Sequence, residues 1–356
     1  MQNKQVAMLA RCYEIFVPIM CIMALCAFLV NVYVLLSGCW LRRPVSPNLC
    51  LSLSLAAADA YASMLIVLGL VFNSYLPTVH NLYLSNNCPL LALEALRVGG
   101  LLSSVCHLLL LAFNHYLGIV HSLLARRYLT KRAVRTAIAL LWLLPPVPVL
   151  AHFSAQPGQA FRSTDCANLT FLESNFNFRA AIGLSFIVPI LVTALFYLAI
   201  LKHLRKRNHD PLIGRSIAAK RQIRNNRKLV VTMILVMGSF LLGWLPSVAL
   251  YALSCMKGCL FTLRPDELLT FFLSAVFHIL IIVKLFLNAL IYASRLIELR
   301  YAMWKMRQSC WPVGYGAELP KEFEVLFRSS VSSYRYTSSV NSQRILKVSP
   351  NLTTSL

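Results

Sequence analysis

Seven stretches of the chain, residues 13–37, 48–72, 89–117, 133–153, 178–203, 226–254 and 267–293, are apolar almost without interruption, and polar segments separate them. Each has the 20 or so residues needed to cross a hydrocarbon core about 30 Å thick. Inside lipid a helix satisfies its own backbone polar groups, whereas barrel strands would read as alternating segments of about ten residues, which do not occur here. The pattern predicts an all-α fold: a seven-transmembrane helix bundle over residues 13–293, with a short N-terminus (1–12) before it. Residues 294–310 follow as a juxtamembrane segment, and 311–356 as a tail.

Composition agrees with the pattern. Of 356 residues 58% are hydrophobic and 13% charged, against roughly 25% charged in a soluble domain. The formal net charge of +22 would suit nucleic acid if it formed a patch. It is instead confined to the segments between apolar runs, and no nucleic-acid partner is expected. Those after spans one, three, five and seven hold 26 of the 34 Lys and Arg, six lie on the opposite side, and Arg97 and Lys284 fall within spans. By the positive-inside rule the N-terminus is extracellular and the C-terminus cytoplasmic, in a multi-pass plasma-membrane protein. With no separate cleavable signal in the first 12 residues, span one is expected to act as its own insertion signal.

On that topology Cys12, Cys88, Cys166, Cys255 and Cys259 face an oxidising compartment and Cys39 and Cys310 a reducing one. A Cys88–Cys166 bond would tie the loop before span five over the bundle mouth, and Cys255 with Cys259 would close a small ring, leaving Cys12 unpaired. Cys21, Cys26, Cys50 and Cys106 read as small packing residues. Asn168-Leu169-Thr170 is a glycosylation sequon on the outer side, whereas Asn351-Leu352-Thr353 falls in the tail, so sugar is expected on Asn168 alone.

Between Asn31 and Cys310 the motifs resemble, as a set, the rhodopsin-like G-protein-coupled receptors. They are Asn31, Leu55-Ala56-Ala57-Ala58-Asp59, Trp142, Pro189 with Tyr197, Phe240 followed by Gly243-Trp244-Leu245-Pro246, and Asn288-Ala289-Leu290-Ile291-Tyr292. Leu55-Ala56-Ala57-Ala58-Asp59 matches the family's Leu-Ala-x-x-Asp, Gly-Trp-x-Pro stands for Cys-Trp-x-Pro, and the last motif for Asn-Pro-x-x-Tyr without its proline. Pro189 and Pro246 each remove a backbone donor and loosen a helix. Residues 295–307 resemble the family's amphipathic helix on the inner leaflet, closed by Cys310 as a palmitoylation candidate. Where the family has Asp-Arg-Tyr, this chain has Asn114-His115-Tyr116. A histidine is shorter than arginine and carries little charge at neutral pH, which implies a weaker inner lock and an altered G-protein contact.

Charges inside spans are expensive and need partners. Asp59 and Lys284 lie at matching depths, about 16 and 12 Å from the inner ends of their helices. The resemblance implies a sodium ion held by Asp59, Ser104 and span-seven polar residues; the expectation here is an Asp59–Lys284 pair in its place. Lys284 lies four residues before Asn288, whereas the opsin lysine position corresponds to Ile282, so retinal is not expected and no cofactor is called for. Arg97 stands where amine-binding relatives have an aspartate, which favours an anionic or carboxylate-bearing ligand; Glu94, one turn away, is the alternative partner. Tyr251, Phe277, His278 and Trp244 are the other candidate ligand contacts.

The expected function is a receptor that passes an extracellular small-molecule or peptide signal to a heterotrimeric G protein through helix rearrangement, with raised basal activity. A non-coupling decoy or scavenging receptor and, in a different class, a transporter are the alternatives. The Ser/Thr-rich tail reads as disordered and suited to arrestin, and the basic inner segments to anionic lipid. Neither a metal-ligand cluster such as His-Glu-x-x-His, nor Gly-x-Ser-x-Gly, nor a phosphate-binding glycine loop occurs, and no enzyme is expected.

Overall fold

The computed structural model describes residues 2–84, 86–166, 168, 169, 172, 175–208, 231, 234–249, 251, 254, 255, 261, 262, 267–310, 320 and 323. Its helices are α1 (Gln2–Ser37), α2 (Pro47–His80), α3 (Cys88–Val120), α4 (Lys131–Ser154), α5 (Phe176–Asn208), α6 (Ile234–Ala249), α7 (Glu267–Arg295) and α8 (Ile297–Cys310). A short helix, Ser122–Tyr128, joins α3 to α4. Six of the helices are long and apolar enough to cross a membrane, and α6 is the shorter apolar helix that completes seven. Among the described residues the β structure is limited to two-residue strands, Ser254–Cys255 and Phe261–Thr262. The chain is therefore an all-α bundle. Helix α1 begins at Gln2, well ahead of the expected start at residue 13. Beyond Cys310 only Pro320 and Phe323 are described; the expected disordered, phosphorylatable tail lies outside the described residues.

Helices α2 and α3 occupy the centre: 67% and 61% of their most apolar stretches are buried, against 28% or less for α1, α4, α5 and α7. Without a hydrophobic drive inside lipid, close approach depends on small residues. Ala24 and Ala27 of α1 and Ala58 and Ala62 of α2 are fully buried. At Gly99 a Cβ would stand 2.7 Å from the Pro146 Cα, so only glycine admits α4 against α3 there. The opposite faces are apolar and exposed at helical spacing: Ile15, Ile22 and Leu29 on α1, and Leu184, Leu191, Leu195 and Leu198 on α5. Such stripes suit lipid and would be a liability in water.

Local breaks have identifiable causes. A π-helical turn, Leu70–Tyr75, interrupts α2, which ends on Asn81 at φ 53°, a left-handed conformation asparagine tolerates. Helix α4 turns at Leu144 and Pro145, where successive prolines remove amide donors. The Thr193 hydroxyl donates to the Pro189 carbonyl at 2.7 Å, beside the donor missing from α5.

At one end of the bundle Cys88 is bonded to Cys166, and the Asn87 amide donates to the Asp165 carbonyl at 3.2 Å, drawing the loop before α5 onto the start of α3. At the other end α8 buries Leu299, Ala302 and Met306 on one face, while the Trp40 indole donates to Ser309 at 3.1 Å. Phe323 packs on Tyr301 and Trp304 at 5.6 and 5.8 Å.

Candidate functional site

Beneath the disulfide-tied loop, α3, α5, α6 and α7 enclose a cavity of about 460 Å³, within the range of about 300–1,000 Å³ usual for small-molecule sites. Its walls are mainly apolar, with Phe153, Phe178, Phe186, Trp244 and Phe277 contributing rings. Three charged side chains enter it: Glu94, Arg97 and Arg179. Arg97 is engaged within the protein. Its Nε donates to Glu94 Oε2 at 2.9 Å, one terminal nitrogen pairs with Glu94 Oε1, and the other meets His278 Nε2 at 3.0 Å. His278 Nδ1 lies 2.8 Å from the Ser274 carbonyl. A carbonyl only accepts, so Nδ1 carries the ring proton and Nε2 accepts from Arg97.

Arg179 sits in the first turn of α5, where the Asn175 side chain caps the helix by accepting from the Phe178 amide at 3.1 Å. Its terminal nitrogens donate to the carbonyls of Leu172 at 2.7 Å and Tyr251 at 2.6 Å, and its guanidinium carbon stands 4.3 Å from the Tyr251 ring centre. Both contacts fix its position without offsetting its charge.

Below the cavity floor lies a second polar centre, fully enclosed. Lys284 Nζ donates to Asp59 Oδ1 at 3.2 Å and to Ser104 Oγ at 2.8 Å. The Ser104 hydroxyl donates to the same carboxylate oxygen, and Asn288 Nδ2 donates to Asp59 Oδ2 at 2.8 Å. Asp59, Ser104, Asn288 and Lys284 are at most 1% exposed. Asn31 Nδ2 donates to the Leu285 carbonyl at 3.1 Å, fastening α1 to the same stretch of α7. The sodium ion that the sequence motifs imply does not fit this arrangement, because the ammonium already occupies the carboxylate and hydroxyl oxygens and places a like charge beside them.

Trp244 connects the two centres. It lines the cavity, Phe186 stacks on it at 5.1 Å, and Lys284 Nζ lies 5.9 Å from its ring centre. Close packing of α6 on α7 here needs the glycine before it: a Cβ on Gly243 would stand 2.6 Å from Lys284 Cβ. Phe240, one turn earlier in α6, is fully buried.

Towards the α8 end, His115 faces Tyr197 at 6.4 Å between ring centres. Its Nδ1 and Asn114 Oδ1 are buried without hydrogen-bond partners among the described residues. Tyr116 meets His121 instead, at 3.3 Å. Tyr197 and Tyr292 are buried, and the Tyr292 hydroxyl has no partner among the described residues. Pro189 is half-buried and Pro246 exposed on the lipid-facing side of α6.

The candidate ligand contacts Glu94, Arg97, Trp244, Tyr251, Phe277 and His278 all line the one cavity. Asn168 is exposed, and Cys310 is free and exposed. The Cys255–Cys259 ring falls outside the described residues. Sequence reasoning missed Arg179, counting it only among the six basic residues of the outer side; the signal that marks it is its place in the first turn of α5, after a capping asparagine. It also missed the Ser54–His107–Trp142 network around the buried His107, in which the Trp142 indole donates to Ser54 Oγ at 3.2 Å and Ser54 meets His107 Nε2 at 2.8 Å.

The model of the 7 transmembrane receptor (rhodopsin family) matches residues 30–292, from Asn31 on α1 to Tyr292 on α7. The match includes the cavity with its charged residues and the buried polar centre below it. It makes the chain a multi-pass membrane protein and a receptor rather than an enzyme, and implies a ligand and a G protein as partners. The chain belongs to the rhodopsin family of seven-transmembrane receptors.

Proposed function

We propose that this receptor sits in the plasma membrane with its N-terminus outside, takes a small-molecule or peptide ligand in the cavity under the Cys88–Cys166 bond, and signals to a heterotrimeric G protein at the α8 end. The observation that carries this reading is the double placement of Trp244, on the cavity wall and 5.9 Å from Lys284 Nζ. A ligand that binds the open bundle more tightly than the closed one shifts the population between them, and a ring shared by the cavity and the buried pair makes the two report to each other. The excess of Lys and Arg on the segments at the α8 end supports the orientation. On it Asn168 carries sugar, Cys310 is palmitoylated, and the Ser/Thr-rich tail recruits arrestin.

His115 determines the basal level. Among the described residues no carboxylate pairs with it, so the closed state lacks the ionic lock of relatives with Asp-Arg-Tyr. Less differential affinity is then needed to open the bundle, and basal signalling is raised. The decoy reading rests on the same residue, since a histidine offers the G protein a shorter contact. His115→Arg separates the two in a second-messenger assay of transfected cells: a receptor already active changes little, whereas a decoy gains signalling from a silent background.

A further inference from the structure

We infer that Arg179 is the anchor for the acidic group of the receptor's ligand, and that the ligand is a singly charged organic acid with an aromatic or bulky apolar body. The inference rests on the receptor reading above and adds the ligand class to it. The charges entering the cavity are Glu94, Arg97 and Arg179. Both carboxylate oxygens of Glu94 are taken by Arg97, so no free carboxylate awaits an amine, and this pair is neutral as a unit. Among the described residues one positive charge remains, on Arg179. Among the described residues no carboxylate lies within ion-pair distance of it.

A guanidinium has five N–H donors. Two of them meet backbone carbonyls, which leaves three, and among the described residues the buried Nε has no acceptor. A buried donor without an acceptor is unusual, and the N–H groups of a guanidinium match the two oxygens of a carboxylate. The Leu172 and Tyr251 carbonyls and the Tyr251 ring hold that fork in place before any ligand arrives, so binding spends little on ordering it. A single uncompensated cation balances one negative charge, which favours a carboxylate over a phosphomonoester dianion. The aromatic rings on the walls supply the surface for the remainder of the molecule.

The test is thermal stabilisation of the purified full-length receptor by indole-3-propanoate and decanoate, each against its own primary amide, with tryptamine as the amine control. The acids are expected to reach half-maximal stabilisation at concentrations at least about tenfold below their amides, as for a charge-assisted contact made in a dry site. R179Q should bring acid and amide within about twofold of each other. The double variant E94Q/R97Q, which removes the neutral pair together, should preserve the acid preference, and E94Q alone should preserve or increase it. R179K, which keeps the charge and loses the fork, serves if R179Q does not fold, and it should reduce the preference. Equal binding of acid and amide, stabilisation by tryptamine in preference to the acids, no stabilisation by either acid at millimolar concentration, or loss of the preference in E94Q/R97Q but not R179Q would each overturn the assignment. Stabilisation is read without a G protein, so the two readings fail separately. Acid binding with no nucleotide exchange on added G protein removes the coupling and leaves the anchor, whereas nucleotide exchange with indifference to acid or amide does the reverse.

Discussion

Lys284→Asn is expected to destabilise the receptor by about 3–5 kcal/mol, because it removes one partner of a buried ion pair and leaves the other charge uncompensated. Asp59 and Lys284 are both withdrawn from solvent, and the pair is held further by Ser104 and Asn288. The same substitution should make stability depend on sodium, since a shorter neutral amide vacates the oxygens that the ammonium holds. Melting curves in sodium chloride and in choline chloride provide the readout: indifferent for the unaltered receptor, and shifted upward by sodium for K284N. Adding Asp59→Asn should recover part of the loss, because the unpaired charge disappears with it. A sodium response present in the unaltered receptor and unchanged in K284N would show that the ammonium does not stand in for an ion.

The second large effect is expected at Gly243. A methyl group there meets Lys284 Cβ at 2.6 Å and the Leu280 carbonyl at 3.2 Å, both close to the backbone of α7 and unable to swing away. Gly243→Ala should therefore cost about 1–3 kcal/mol through overpacking and force α6 from α7 beside Trp244. If separation of these helices opens the bundle, G243A also raises ligand-free nucleotide exchange on the G protein. A thermal melt and an exchange assay on one preparation check both, and an unchanged melting temperature would contradict the close approach. The pairing explains a departure in the sequence: Gly-Trp-x-Pro replaces the family's Cys-Trp-x-Pro where α6 must pass the stem of a lysine.

The bundle was legible in the sequence because lipid imposes one length on every span, and apolar runs near that length cannot be much else. Helix depth also placed Asp59 and Lys284 at one level, since a rise of about 1.5 Å per residue converts position into height. What escaped the reading depends on neighbours. The first turns of α1, Gln2 onward, are too polar to register as a span, and the π turn of α2 has no compositional mark. Arg179 looked like one more charge at a membrane boundary until α5 was set against α6, which brought the Tyr251 ring and carbonyl to its guanidinium. Gly243 acquires meaning only beside Lys284, forty-one residues along the chain. Arg97, the more conspicuous charge within a span, is engaged by Glu94 and His278.

The placement of the cavity outside the cell and of His115 within it is the claim on which the signalling account stands, and the two sequons test it directly. Endoglycosidase treatment of the expressed full-length chain should increase its gel mobility; N168Q should abolish that change and N351Q should leave it intact. A mobility change that survives N168Q and disappears in N351Q would put the tail in the secretory lumen and contradict the account.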